Sequence, residues 1–151
     1  MSRVALILVV PVLFACSKAE TPAADTAAAV VETPAPAPVN VAGKWAFNVM
    51  PEGKDTVLTT YTLDATSDMT GWTITFPGRD PIPLRVISMD NDSIVTEAGP
   101  FASNVQKGVT VNLIHTNLRL DGAKLSGAGI VHYDKKTADS VVTLRQDGTR
   151  Q

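Results

Sequence analysis

The stretch AGKWAFNV, residues 42–49, decides the fold because the character of the chain changes there. A run rich in alanine and proline precedes it, and threonine, valine and isoleucine become frequent after it. Within the stretch, Trp45, Phe47 and Val49 occupy alternate positions, which face the same side of a β-strand. The stretch therefore predicts a strand that begins at Gly43 and has one buried face.

The same kind of sequence continues to the end of the chain, interrupted by short segments rich in glycine, proline, aspartate, asparagine and serine. These segments are 51–54, 66–69, 77–80, 90–92, 99–108, 121–124 and 134–138. Seven breaks divide the domain into eight runs, and no run keeps a helical period for about 10 residues. The pattern predicts an all-β, eight-stranded antiparallel up-and-down barrel, with a β-sandwich as the alternative. Pairing of the first strand with the last would decide for the barrel.

Alternation also predicts which side chains face the interior. The rows contain the aromatic and aliphatic residues Phe47, Tyr61, Trp72, Ile74 and Phe76, with Val57 on the row of Tyr61. The sixth run is irregular, because Val111 and Leu118 lie on opposite parities. A straight strand cannot bury both sets, so a β-bulge or bend is expected between Ile114 and Asn117.

Gly43-Lys44-Trp45 resembles the G-x-W motif at the start of the first strand in lipocalins and their relatives. The resemblance implies a lipocalin-like (calycin-like) barrel, in which an arginine of the last strand packs on this tryptophan and plugs the closed end. Arg145 matches that arginine, and Arg150 is the weaker candidate because it is expected to lie beyond the strand. The chain departs from lipocalins in being shorter and in lacking a C-terminal helix and a second lipocalin motif.

The beginning of the chain has the pattern of an export signal. A short basic start precedes an apolar run that ends in LFAC, residues 13–16, which resembles the bacterial lipobox. The resemblance implies a lipoprotein signal peptide at 1–15 and lipidation of Cys16, the only cysteine. It also implies anchoring in the cell envelope, with the outer membrane favoured because Ser17 follows. Residues 16–40 are predicted to be a flexible tether, and residues 41–151 the barrel domain.

Charge and motifs exclude several function classes. The chain has 13 Lys+Arg and 15 Asp+Glu, of which 11 and 12 lie in residues 41–151, so no basic face for nucleic acid is expected. Neither a G-x-S-x-G motif nor a phosphate-binding loop is present. Two histidines, His115 and His132, are too few to define a metal site by themselves. We expect no enzyme activity, no catalytic residues, no metal and no cofactor.

Ligand binding remains as the leading hypothesis. The inward residues listed above, together with Phe101 in the long 99–108 segment, are the candidate contacts for a small, partly apolar ligand. This hypothesis predicts a cavity of about a few hundred Å³ that opens near 99–108. The alternative is a structural or protein-interaction module of the envelope with a filled barrel and an exposed apolar patch. Stretches such as DTVLTTYTL, 55–63, are also similar to uncharacterised lipoproteins of environmental bacteria, which implies no activity.

Overall fold

The computed structural model describes residues 40–151, which form one antiparallel β-sheet that curls into a nearly closed barrel. The predictions for the signal peptide, for Cys16 and for the tether up to residue 39 lie outside the described residues. No helix within 40–151 has the length and hydropathy needed to cross a bilayer.

The described residues contain ten strands and one short 3₁₀ turn, Ala138–Ser140. The strands are β1 Gly43–Pro51, β2 Thr59–Ala65, β3 Thr73–Thr75, β4 Ile82–Pro83, β5 Arg85–Asp90, β6 Ser93–Ala98, β7 Phe101–Ala102, β8 Thr110–Asp121, β9 Lys124–Tyr133 and β10 Val141–Arg150. Their spatial order is β4-β3-β2-β1-β10-β9-β8-β6-β5, with β7 also paired to β8.

Pairing between the first and last strands makes the sheet continuous, so its two free edges are the chain neighbours β4 and β5. The first and last strands are antiparallel, and the register runs from Trp45 opposite Arg150 to Pro51 opposite Leu144. A sandwich of two separate sheets has no such continuous path, so the barrel prediction is confirmed and the β-sandwich is excluded.

The strand count is ten rather than eight for two reasons. Leu84 divides one expected run into β4 and β5, and a two-residue strand, β7, lies within the expected break 99–108. The division between β4 and β5 has a structural reason: β4 pairs with β3, whereas β5 pairs with β6. The run 82–90 therefore passes from one neighbour to the other, and the two ends of the sheet meet there.

The irregularity in the sixth run is a β-bulge, but its predicted position is wrong. The register between β8 and β9 shifts between Val111 and Leu113, before the predicted interval of Ile114 to Asn117. Val111 is buried, and after the shift Thr116 and Leu118 are buried on the other parity. The bulge thus lies where the inward parity changes, and it turns Leu113 away from the core.

The main apolar core lies toward the end of the barrel where β1 begins. Trp45, Trp72 and Phe47 are its largest fully buried side chains, and the Trp45 indole N–H donates to the Val41 carbonyl at 2.9 Å. The Phe47 ring occupies the space in front of its strand neighbour Gly148, where a Cβ would lie 2.5 Å from the ring. One predicted core member, Val57, lies instead in the β1–β2 connection and is 46% exposed.

Arg150, rather than Arg145, packs on Trp45. Its guanidinium carbon lies 4.4 Å from the centre of the indole, and its nitrogens donate to the carbonyls of Ala42 and Asn40, both at 2.6 Å. Because β10 extends to Arg150, this residue is the one directly opposite Trp45. The assignment of Arg145 to the closed-end plug with Gly43 and Trp45 is therefore wrong.

Arg145 lies on the outer face near the other end of β1. Its guanidinium pairs with Asp55 at 2.9 Å and with Asp147 at 3.2 Å, and it also contacts the Met50 sulfur. Hydrogen bonding to the Asp55 carboxylate raises the pKa of Arg145 above its ordinary value.

Replacing Trp45 by alanine is expected to lower the free energy of unfolding by about 3–5 kcal/mol, because it leaves a large cavity in the closed end. Urea unfolding followed by circular dichroism measures the change. Stability within about 1 kcal/mol of the wild type would contradict the central role of this ring.

Alanine substitutions of Arg150 and Arg145 form a matched pair that tests which arginine stabilises the closed end. Arg150→Ala is expected to cost about 1 kcal/mol, since it removes the cation–π contact and two hydrogen bonds to carbonyls. Arg145→Ala removes two surface ion pairs and the contact with the Met50 sulfur, and is expected to cost less. The reverse order in urea unfolding would contradict the corrected assignment.

Candidate functional site

A layer of buried polar side chains divides the interior of the barrel into two compartments. The Tyr61 hydroxyl donates to Gln146 Oε1 at 2.5 Å, and Gln146 Nε2 donates to Thr116 Oγ1 at 3.4 Å. Thr96 is buried on the neighbouring strand, directly opposite Thr116. Below this layer lies the main core, and above it lies a smaller apolar cluster: Val49, Val111, Val131, Tyr133 and Leu144.

The local sequence places the amide of Gln146 in the interior. Leu144, Gln146 and Gly148 follow one another on the inward side of β10, and all three are buried. The Gln146 side chain occupies the space where a Cβ of Gly129 would lie, so a larger residue at 129 would collide with it. In the stretch VVTLRQDG, residues 141–148, Gln146 is a polar residue at a position where the alternation predicts an inward side chain. This is the sequence signal that could have identified the site.

Tyr61 acts as a neutral donor in this layer. Burial raises the pKa of its hydroxyl far above the ordinary value of 10.0, because the phenolate would lose its hydration. The hydroxyl therefore keeps its proton throughout the physiological range and holds the Gln146 amide in a fixed orientation.

A cavity of about 50 Å³ lies above the polar layer. Its walls are formed by apolar side chains from both halves of the sheet, with a few uncharged polar groups. They are Val49, Thr59, Tyr61, Ile74, Phe76, Phe101, Ser103, Asn104, Val105, Val111, Ile114, Val131, Tyr133, Leu144 and Gln146. No charged side chain lines it, so the cavity suits an uncharged group.

The cavity lies at the predicted end of the barrel, but its predicted size is wrong. The expected volume was about a few hundred Å³, whereas the cavity is smaller than the 150 Å³ that admits benzene in an engineered apolar cavity. The Phe76 and Phe101 rings, with centroids 5.8 Å apart, occupy much of the space. The closed barrel therefore has room only for the end of a ligand.

The segment 103–106 covers this cavity and is held by several hydrogen bonds. The Ser103 hydroxyl accepts from the backbone N–H groups of Val105 and Gln106 at 3.2 and 2.9 Å. From the opposite rim, Arg79 donates to the carbonyls of Ala102 at 2.5 Å and Ser103 at 3.5 Å. The cover is thus attached to the turn that follows β3.

The structure brings together four of the six predicted ligand contacts. Tyr61, Ile74, Phe76 and Phe101 line the cavity. Phe47 does not line it, but stacks on Tyr61 with ring centroids 4.7 Å apart. Trp72 belongs to the main core, and its indole N–H donates to the Asp68 carbonyl at 2.7 Å.

The two histidines lie on the outer face, away from this cavity. His115 is opposite Ile130, and His132 is opposite Leu113, so they occupy alternate rows of the β8–β9 pair, which share one face. His115 Nδ1 lies 3.2 Å from Glu97 Oε1, and Glu97 also pairs with Arg85. Within residues 40–151, no cluster of three or more His, Cys, Asp or Glu side chains could hold a metal ion.

No protein-family model, no curated protein and no solved structure matches the chain. The candidate site is therefore defined by its geometry alone.

Replacing Tyr61 by phenylalanine is expected to lower the free energy of unfolding by about 1–3 kcal/mol, because the buried Gln146 oxygen loses its donor. Tyr133→Phe is the matched control, since Tyr133 lines the same cavity and its hydroxyl makes no hydrogen bond within the described residues. Equal effects of the two substitutions in urea unfolding would show that the hydrogen bond contributes nothing specific.

Glu97 is expected to make stability depend on pH at the acid end. Hydrogen bonding to His115, with the charge of Arg85, lowers the pKa of Glu97 below its ordinary value of 4.5. The unfolded chain therefore binds the proton first, and the stabilisation is lost as the pH falls from about 4.5 through the folded-state pKa.

Urea midpoints measured from pH 6 downward for wild type and Glu97→Gln check this dependence. The wild-type midpoint is expected to fall more steeply below about pH 4.5. Asp121→Asn, which removes a carboxylate from the exposed end of β8, serves as the control. Parallel curves for wild type and Glu97→Gln would contradict the coupling.

Proposed function

We propose that the protein is an exported, lipid-anchored lipoprotein of the bacterial envelope whose barrel is a non-catalytic binding module. The LFAC pattern and Cys16 support the anchor, and Ser17, which follows the cysteine, favours the outer membrane. The binding function is carried by one observation: an uncharged, largely apolar cavity lies under a covering segment, with the Gln146 amide at its base.

The lining defines the chemistry of the bound group. Aliphatic and aromatic walls favour an apolar group, and the absence of charge from the lining residues disfavours an ion. The Gln146 amide carries two N–H bonds, of which the contacts in the described region use one, toward Thr116. In this proposal the second N–H donates to a carbonyl or hydroxyl oxygen of the ligand.

An interaction module remains a second candidate, because the barrel interior is nearly filled. The outer face of β8–β10 presents Leu113, Ile130, His132 and Val141 in neighbouring rows. Ile130 is 38% exposed and Val141 is 49% exposed. Contact with another envelope protein through this face would bury these side chains.

Titration with 1-hexanol tests the binding function on the full chain in lipid nanodiscs, with empty nanodiscs as the control for partitioning. Saturable chemical-shift changes are expected at residues that line the cavity, such as Leu144 and Val131. Changes that increase linearly without saturation, or that occur only on the outer face, would contradict the proposal.

A pair of conservative substitutions sharpens the test. Val131→Ile adds one methyl group to the cavity and is expected to weaken hexanol binding roughly fourfold, the equivalent of one displaced methylene. Val86→Ile adds the same group to the main core, away from the cavity. It is expected to leave the affinity unchanged.

A further inference from the structure

The cavity shares a wall with a second concavity on the outside of the barrel. This lateral groove has a volume of about 490 Å³ and lies beside β2 and the turn 77–79. Tyr61 and Phe76 line both the groove and the cavity, so their rings separate the two. We infer that groove and cavity are two halves of one site for an anionic amphiphile, with its head in the groove and its apolar tail behind the rings.

The groove follows from incomplete strand pairing. On the side of β3, β2 is paired only from Thr62 to Asp64. Within the described residues, the part of β2 from Thr59 to Tyr61 therefore pairs with β1 alone. Because β3 ends at Thr75 and the chain then turns away, side chains rather than backbone hydrogen bonds close the barrel at this point.

The ring of Phe76 is the movable part of this wall. Tyr61 is held by its hydrogen bond to Gln146 and by stacking on Phe47. Phe76 has no polar attachment and meets Tyr61 edge to face, with centroids 5.7 Å apart and planes at 60°. A change in the Phe76 side-chain rotamer would join the groove to the cavity without breaking a hydrogen bond.

The groove has the chemistry of an anion site. Its polar side chains are the hydroxyls and amides of Asn48, Thr60, Thr62, Thr75 and Gln151 and the guanidinium of Arg79, and Gln151 also carries the terminal carboxylate of the given chain. No aspartate or glutamate side chain lines it, and no carboxylate of residues 40–151 lies within 4 Å of the Arg79 nitrogens.

Arg79 has donors left for a ligand. It uses N–H groups on the carbonyls of Ala102 and Ser103, and a guanidinium carries five. A carboxylate or phosphate accepts such donors in a charge-assisted geometry. The uncharged cavity excludes that head and accepts the apolar tail, so the ligand lies with its head outward.

This inference rests on the proposed binding function, and the comparison of hexanoate with 1-hexanol separates the two. The probes have the same chain length and differ in the charge of the head at pH 7. In nanodiscs carrying the full chain, hexanoate is expected to bind about tenfold more tightly, the equivalent of one charge-assisted hydrogen bond. Hexanoate is expected to change the chemical shifts of Thr60 and Thr75 in the groove and of Leu144 in the cavity.

Arg79→Gln is expected to abolish the preference for hexanoate, and Arg79→Lys to retain part of it. Lys107→Gln removes the same charge from the 99–108 segment without changing the lining of either concavity, and is expected to leave the preference intact.

Thr60→Trp, which fills the groove from its exposed side, is expected to weaken hexanoate binding, whereas Asn117→Trp on the outer face of β8 is not.

The outcomes distinguish the two claims. Saturable hexanol binding with no preference for hexanoate would overturn the joined site and leave the proposed function standing. Chemical-shift changes that hexanoate causes only in the groove would also overturn the joined site. Failure of both probes to bind would overturn the proposed function and the joined site together.

Discussion

The pairing of β1 with β10 is the constraint on which the rest of the structure depends. It brings Trp45 opposite Arg150, and the guanidinium then lies on the indole while it donates to the carbonyls of Ala42 and Asn40. The two strands lie at opposite ends of the described sequence. Their pairing therefore costs conformational entropy, which the burial of apolar area must offset. Trp45 and Phe47, both fully buried, supply much of that area at the strand that begins the barrel.

A buried polar layer then determines what the closed barrel can hold. Gln146 crosses the interior between Tyr61 and Thr116, and the space for it exists because residue 129 is glycine. Buried polar groups are tolerated when they are paired, and this layer separates a filled core from a smaller apolar compartment. The same feature that completes the core therefore creates the base of the candidate site.

Incomplete closure has a structural consequence beside β2 and β3. β3 spans only Thr73–Thr75, and the run 82–90 passes from β3 to β6. Where backbone pairing stops, the aromatic rings of Tyr61 and Phe76 form the wall. Rings can change rotamer at a lower cost than a strand can separate from its neighbour, so the proposed joined site depends on this wall.

The sequence by itself determined the class of fold, because period-two alternation and turn residues depend on local geometry. It placed the turns after β1, β2, β3, β5, β8 and β9, the buried row of Trp45 and Phe47, and the end of the barrel that carries the cavity. Only the tertiary structure decided which arginine meets Trp45, since the answer depends on register and on where β10 ends. It also decided the position of the bulge at Asn112 and the small cavity volume, because both depend on how side chains from distant strands pack together.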